Sequence, residues 1–423
     1  MKNKFLPYIF ISMIFFILYR WGSFLKIPFG DCIGQVLDTE KGAFILKNDS
    51  TTHFLYANSL ILLKKIIPFI DSITLCRYFT IIFAVVVLNL LYYIIFDLTQ
   101  QRLSALIGTF CFGLSFSFWR NAEIIEVYTF NLFFVALHIL FVIKSLIRNP
   151  KYAVHAGVVL GISLWCHIQN ILLIPSYVFL LWCLYSKNFS KIMANLGIVI
   201  IFFLSLYIEP IINKESIVEV LSSTDFTWVG DSFKKGAIDY AGDLLKSIGY
   251  LIYNFWYFIF FIALGMKYIF KENPKLFWFF VIFSVPVYGF ATVYAVSDNY
   301  VFYLNCYLIF AVFIGLGCFY LQLFYKSNKI WAITGILLIP FLYSISKYMV
   351  TKTQKGQEFS ARKEYKGGLD YYLTPWMNNN IGIIEFTLER RESSDPLYWM
   401  TGAAQEFVEL RKKKNPDENV NKL

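Results

Sequence analysis

The stretch FWRNAEIIEVY, Phe118–Tyr128, separates two apolar runs, 103–118 and 124–144, with almost no loop between them. It crowds Arg120, Glu123 and Glu126 beside Trp119. A charge at membrane depth is costly unless it is paired or faces water. Between two spans, such a stretch marks a turn at a membrane boundary. Trp119 fits an interfacial anchor and Arg120 an ion pair with a glutamate. Glu126, read as lying inside the second run, needs a partner or a wet cavity.

Similar apolar runs recur along the whole chain. A span takes about 20 mostly apolar residues. By that measure spans fall near 5–22, 76–96, 103–118, 124–144, 152–167, 168–186, 192–209, 248–268, 276–296, 300–324 and 328–349. Only 16% of the 423 residues are charged and 58% are hydrophobic, too few charges to cover a soluble surface. The predicted fold is an all-α polytopic membrane bundle of about 11 helices. The first run follows a basic start without a small-residue cleavage site, so it reads as a retained helix rather than a signal peptide.

Met1–Lys4, Lys144–Lys151, Lys187–Lys191, Lys267–Lys275 and Lys326–Lys329 are short and basic, and all share one side if the spans alternate. That side is expected to be cytoplasmic, with the N-terminus on it. The net charge of +10 is then a topology signal, and nucleic acid is not an expected partner. The opposite side receives a long first loop, 23–75, with apolar-periodic pieces at 32–46 and 53–69, the second read as a surface helix. It also receives a small polar tail, 351–423, beyond a transmembrane domain of 1–350.

Six of the seven cysteines fall in or at the ends of apolar runs; Cys32 lies in a loop. There is no CxxC and no Cys/His metal spacing, so no metal is assigned. Nor is there a phosphate-cradling glycine loop, an HExxH or a GxSxG, so a cytosolic nucleotide-driven pump is not indicated.

The remaining polar clusters converge on the non-basic side: Asp31 in GDCIGQ, His53 in TTHF, the opening stretch, His167 and Gln169 in WCHIQN, and Asp298, Asn299 and Tyr303 in SDNYVFY. Each has a plain account, as a solvated loop acid, a helix cap, a turn former or a belt aromatic. Their convergence is what suggests a functional cavity. His138 and His155 fall on helix faces and are expected to be structural.

Three of these stretches resemble one family in order. FSFWRNAEIIEVYTFN, GISLWCHIQNILLIP and SDNYVFYLNCYLIFAVFIGLG are similar to signatures of bacterial membrane proteins related to the TMEM260-type protein O-mannosyltransferases, which are C-type (GT-C) glycosyltransferases. The resemblance spans roughly residues 1–320. It implies a GT-C-like bundle in a bacterial cytoplasmic membrane, with a periplasmic tail and a polyprenyl-phosphate sugar as donor. The family's acidic first loop finds its counterpart at Asp31, with Glu40, Asp38 and Asp49 as fallbacks, and its loop histidine at His53.

Together, residues and resemblance imply inverting transfer of a sugar, mannose by resemblance, to a hydroxyl acceptor such as a Ser/Thr of a translocated polypeptide. Asp31 would be the general base. His53, Arg120, Glu123, Glu126, His167 and Gln169 would hold the donor phosphate and sugar, and Asp298, Asn299 and Tyr303 would line the acceptor side. No cofactor is required by this chemistry. Transfer to a lipid or polysaccharide is the alternative, as is a transporter for lipid-linked or small substrates. A transporter more often places its polar site at mid-membrane between repeated halves, and no internal repeat is visible.

Overall fold

The computed structural model describes residues 4–46, 53–214, 230–296, 298–324, 330–393, 396–417 and 419. Asp49, Met1–Asn3 and the loop Lys326–Lys329 lie outside them. In chain order the main helices are α1 (Leu6–Gly22), α2 (Cys32–Lys41), α3 (Phe54–Ile66), α4 (Ser72–Thr99), α5 (Arg102–Gly113), α6 (Phe116–Glu123), α7 (Tyr128–Ile147), α8 (Tyr152–Cys166), α9 (Ile174–Tyr185) and α10 (Phe189–Ser205). There follow α11 (Ala237–Phe255), α12 (Ile259–Glu272), α13 (Pro274–Val293), α14 (Leu304–Phe324), α15 (Ile330–Thr351), α16 (Gln354–Arg362), α17 (Gly368–Leu373), α18 (Ile383–Leu388) and α19 (Tyr398–Lys414). No strand occurs among the described residues.

Among the described residues seven helical segments are long and apolar enough to cross a membrane, or eight if α5 and α6 form one bent span; α1, α8 and α10 are shorter apolar helices. Each expected span therefore has a helical counterpart. The ends follow local chemistry. The Asp71 side chain caps α4 by accepting the Thr74 N–H at 2.8 Å, and Asn273 caps α13 ahead of Pro274 at its first turn. Inside the bundle α12 and α14 touch through backbone: a Cβ on Gly265 would lie 2.0 Å from the Phe313 carbonyl oxygen. Small residues permit such approach where lipid offers no hydrophobic drive.

The opening stretch differs from expectation. It is not a tight turn: α5 ends at Gly113, the chain bends by 66°, and α6 carries Phe116–Glu123 wholly buried. Residues 124–127 then link to α7, so Glu126 precedes the span instead of lying within it. Trp119 is buried and no interfacial anchor. Cys32, expected in a loop, opens α2 and is fully buried.

Three spans are joined by amides. Asn170 donates to Asn131 at 2.6 Å, Asn305 donates to Asn170 at 2.9 Å, and Asn131 donates to Asn305 at 3.4 Å. This closed ring satisfies polar groups that apolar surroundings would penalise. It fixes α7 and α14 against the 3₁₀ turn Ile168–Leu173. His138, also buried, is held through Nδ1 by the Ala156 carbonyl oxygen at 2.9 Å.

The two ends of the bundle are unlike. At one, Arg148 pairs with Asp97, Lys144 lies 5.5 Å from the Tyr93 ring centre, and the Tyr185 hydroxyl donates to the Pro150 carbonyl at 2.9 Å. The basic loop 187–191 lies there too, with Lys191 Nζ 5.5 Å from the Tyr185 ring centre. At the other, the first loop and the tail fold together. The Met377 N–H donates to the Gly22 carbonyl at 2.8 Å and the Ile383 N–H to that of Ile27 at 2.9 Å. Lys26 pairs with Glu385 at 2.5 Å. Glu40 accepts from Ser72 at 2.6 Å and from Lys414 at 2.6 Å, while Arg411 reaches Asp71 at 3.1 Å. Phe29, Cys32, Ile33 and Val36 share one apolar core with Tyr365, Ile383, Phe386 and Phe407. The tail is thus half of a helical cap whose other half is the first loop. Within that cap α3 buries Tyr56, Ala57, Leu60 and Ile61 and leaves Leu62 and Ile66 exposed.

Candidate functional site

Under the cap, the link after α6 meets the turn that opens α2. Gly30 takes φ +109°, a left-handed conformation that glycine tolerates, and a Cβ there would stand 3.6 Å from Glu126 Oε1. The turn aims the Asp31 N–H at the Glu126 carboxylate, which also accepts from the Val127 N–H. Burial, then the nearby carboxylates of Asp31 and Asp298, push the Glu126 acid well above its ordinary range. Asp298 is raised too, by burial, with Lys366, Arg120 and Lys246 pulling the other way. Glu126 and Asp31 are partly accessible and Asp298 is exposed although protein surrounds it, as groups lining a recess are. Tyr128 and Tyr300 stand among these acids.

Arg120 lies against this group from α6. It is buried, its Nη1 donates to the backbone carbonyl of Tyr371 and, at 3.4 Å, to that of Thr374. Its guanidinium sits 4.3 Å from the Tyr371 ring centre, and its Nε has no acceptor among the described residues. Burial this deep is tolerated because cation–π contact and carbonyls replace water.

A second cluster joins the first through Tyr128. His53 begins α3 in a left-handed conformation, φ 46°, and its ring centre is 5.0 Å from that of His167. Tyr128 lies 5.6 Å from His167 on another side. The His167 Nδ1 accepts the Gln169 N–H at 3.2 Å, leaving Nε2 to carry the proton of the neutral ring. Burial, then His53, hold His167 well below its usual range. The Gln169 side chain donates to the Phe302 carbonyl at 2.9 Å.

The structure thus brings Asp31, Glu126, Asp298 and Arg120 together, with His53, His167 and Gln169 adjoining. Glu123 stands apart, its carboxylate taken up by the Trp119 Nε1–H at 2.5 Å and the Met377 N–H at 3.1 Å; it binds α6 to the tail. Tyr303 is buried, donates to Thr292 Oγ1 at 3.2 Å and stacks on Tyr307, inside a tyrosine group with Tyr250 and Tyr288. Asn299 is buried and donates to the Ala291 carbonyl at 3.1 Å. Among the fallback acids, Glu40 is held by Lys414 and Ser72.

Sequence reasoning missed Lys366 and Tyr371 from the tail, Lys246 from α11, and Tyr128 and Tyr300. The two tyrosines adjoin residues already singled out. Nothing local marks Lys366, which reaches the recess only through the tail's docking. Among the described residues no three His, Cys, Asp or Glu side chains are placed to share one metal ion.

Residues 72–192 match the family model for the N-terminal domain of protein O-mannosyl-transferase TMEM260, so the resemblance read from the sequence is borne out over that segment. It contains FWRNAEIIEVY and WCHIQN but not SDNYVFY. No curated protein matches the chain in sequence. ArnT from Cupriavidus metallidurans in the apo state is similar in structure, with TM-score 0.57 and 9% identity, over 96% of this chain and 75% of that one. The same enzyme bound to undecaprenyl phosphate gives TM-score 0.55 and 8% identity, with coverage of 96% and 75%. The Archaeoglobus fulgidus oligosaccharyltransferase, in complex with Zn and sulfate, gives 0.52 and 12% over 96% of this chain and 61% of that one. The bundle has the GT-C-like fold of these proteins.

Proposed function

We propose that the chain is a membrane glycosyltransferase that moves a sugar, mannose by family resemblance, from a polyprenyl-phosphate donor to a hydroxyl acceptor. The acceptor class is Ser/Thr of polypeptides on the far side of the membrane from the basic loops. The observation that carries the reading is the meeting of Asp31, on the turn that opens α2, with Glu126, on the link after α6, with Arg120 reaching the same group through Asp298.

Two adjacent carboxyl groups do not both ionise readily. Burial and its acidic neighbours favour the neutral form of Glu126, and the role of base is assigned to Asp31. Asp31 removes the acceptor's hydroxyl proton while the acceptor oxygen bonds the anomeric carbon. The bond from that carbon to the phosphate oxygen breaks on the opposite face, and the polyprenyl phosphate departs with the electron pair. The configuration inverts without a covalent enzyme intermediate, as in inverting glycosidases. Arg120 meets the charge that grows on the leaving phosphate, where a preorganised cation acts most strongly. Neutral His167 and Gln169 orient the sugar from the side of Tyr128.

The test supplies purified protein in nanodiscs with polyprenyl-phosphate mannose and mixed Ser/Thr peptides, and follows the peptides by mass spectrometry. Mannosylated peptide is expected. Free mannose without modified peptide would discard the polypeptide acceptor. The absence of both products would sink the reading.

A further inference from the structure

The C-terminal segment is more than a cover. Tyr371 holds Arg120 twice, with its ring under the guanidinium at 4.3 Å and its carbonyl oxygen on Nη1. The Tyr371 hydroxyl reaches back to the Phe29 carbonyl at 3.5 Å, two residues before Asp31. Lys366 Nζ lies 5.9 Å from the same Tyr371 ring and 5.7 Å from that of Phe29. Arg120 and Lys366 thus share one aromatic ring, and both act on Asp298. A segment some 250 residues away in sequence fixes the orientation of one cation and supplies another.

We infer that Tyr371 is a positioning residue for Arg120 and that Lys366 completes a two-cation site for a phosphate headgroup, so the tail is part of the binding pocket. Two cations about one anion, one of them preorientated, bind a phosphate better than a single mobile charge. The inference rests on the proposed donor class but is tested apart from transfer.

The probe is undecaprenyl phosphate alone, without sugar, added to full-length protein in nanodiscs of uncharged lipid. Affinity is read by ligand-induced shift of the melting temperature across a titration. Lys366→Gln is expected to weaken binding roughly tenfold and to reduce its salt dependence, with Lys366→Arg restoring most of it. Tyr371→Ala, which keeps the backbone carbonyl but loses the ring, is expected to act similarly, and Tyr371→Phe, which keeps the ring, to recover binding. A merely structural role would lower the melting temperature of the unliganded protein and leave affinity unchanged; that result overturns the inference, as does absence of phosphate-lipid binding in the wild type. Binding that depends on Lys366 without any sugar transfer supports this site and counts against the glycosyltransferase reading. Transfer with binding indifferent to both residues does the reverse.

Discussion

The carboxylate of Glu126 accepts a hydrogen bond from the backbone N–H of Asp31, so the link after α6 and the turn before α2 cannot shift independently. One contact ties the link before α7 to the residue that precedes the cap's leading helix.

Glu126 has a consequence for stability. Its acid is raised by burial and by Asp31 and Asp298, so the folded state holds the proton more firmly than the unfolded chain. Its contribution to stability is complete below the ordinary carboxyl range and is lost as pH rises through the raised value. Glu126→Gln is therefore expected to flatten the fall in melting temperature between mildly acid and alkaline buffers. A fall as steep as in the wild type would place the titrating group elsewhere.

Glu40 behaves in the opposite sense. Burial alone would raise it, but hydrogen bonds from Lys414 and Ser72 and the charges of Lys414 and Arg411 bring it below its ordinary value. That stabilisation is present above the ordinary carboxyl range and fades as pH falls through the lowered one. Glu40→Gln should cost about 1–3 kcal/mol near neutral pH, with the difference from wild type shrinking in acid. Chemical denaturation of the detergent-solubilised protein at two pH values measures both.

Asn170 is the member of the amide ring that lies on the 3₁₀ turn Ile168–Leu173; it donates to Asn131 and accepts from Asn305. Asn170→Leu takes one partner from each of Asn131 and Asn305, which keep only their 3.4 Å bond to each other within the ring, and should cost about 1–3 kcal/mol. The same change should lower transfer, because the 3₁₀ turn it loosens also carries Gln169. A stable variant with full transfer would show that the ring positions nothing.

Arg120→Lys keeps a charge but loses the planar group that lies on Tyr371 and bonds two carbonyls. Transfer efficiency, kcat/KM, should fall about a hundredfold. Initial rates with saturating acceptor and varied donor would show it, and a drop of less than threefold would remove Arg120 from the chemistry.

Much of this architecture could be read in advance because a bilayer sets the length of an apolar run, whatever the rest of the protein does. The spans around α4, α7, α13 and α14 are of that kind. The bend between α5 and α6 escaped, although Gly113 followed by Ser115 is an ordinary helix stop and start; with it went the true place of Glu126. Asp31, Arg120, His167 and Asp298 were legible as polar groups on one side of a greasy chain. Lys366 and Tyr371 were not, since the tail docks by pairing with residues more than 300 positions away, such as Lys26 with Glu385 and Glu40 with Lys414, and no local pattern announces such a pairing. Glu123 looked like its neighbours in sequence, and only the fold shows its carboxylate occupied by Trp119 and Met377.

The central claim is that Asp31 takes the acceptor's proton, and it is tested most directly by comparing initial transfer rates of wild type and Asp31→Asn. Both are assayed in nanodiscs with polyprenyl-phosphate mannose, after equal melting temperatures and equal undecaprenyl-phosphate affinity are established. A general base contributes roughly 10²–10⁴-fold, and a loss of that size with binding intact is the predicted result. A variant that transfers mannose within tenfold of the wild type would contradict the account.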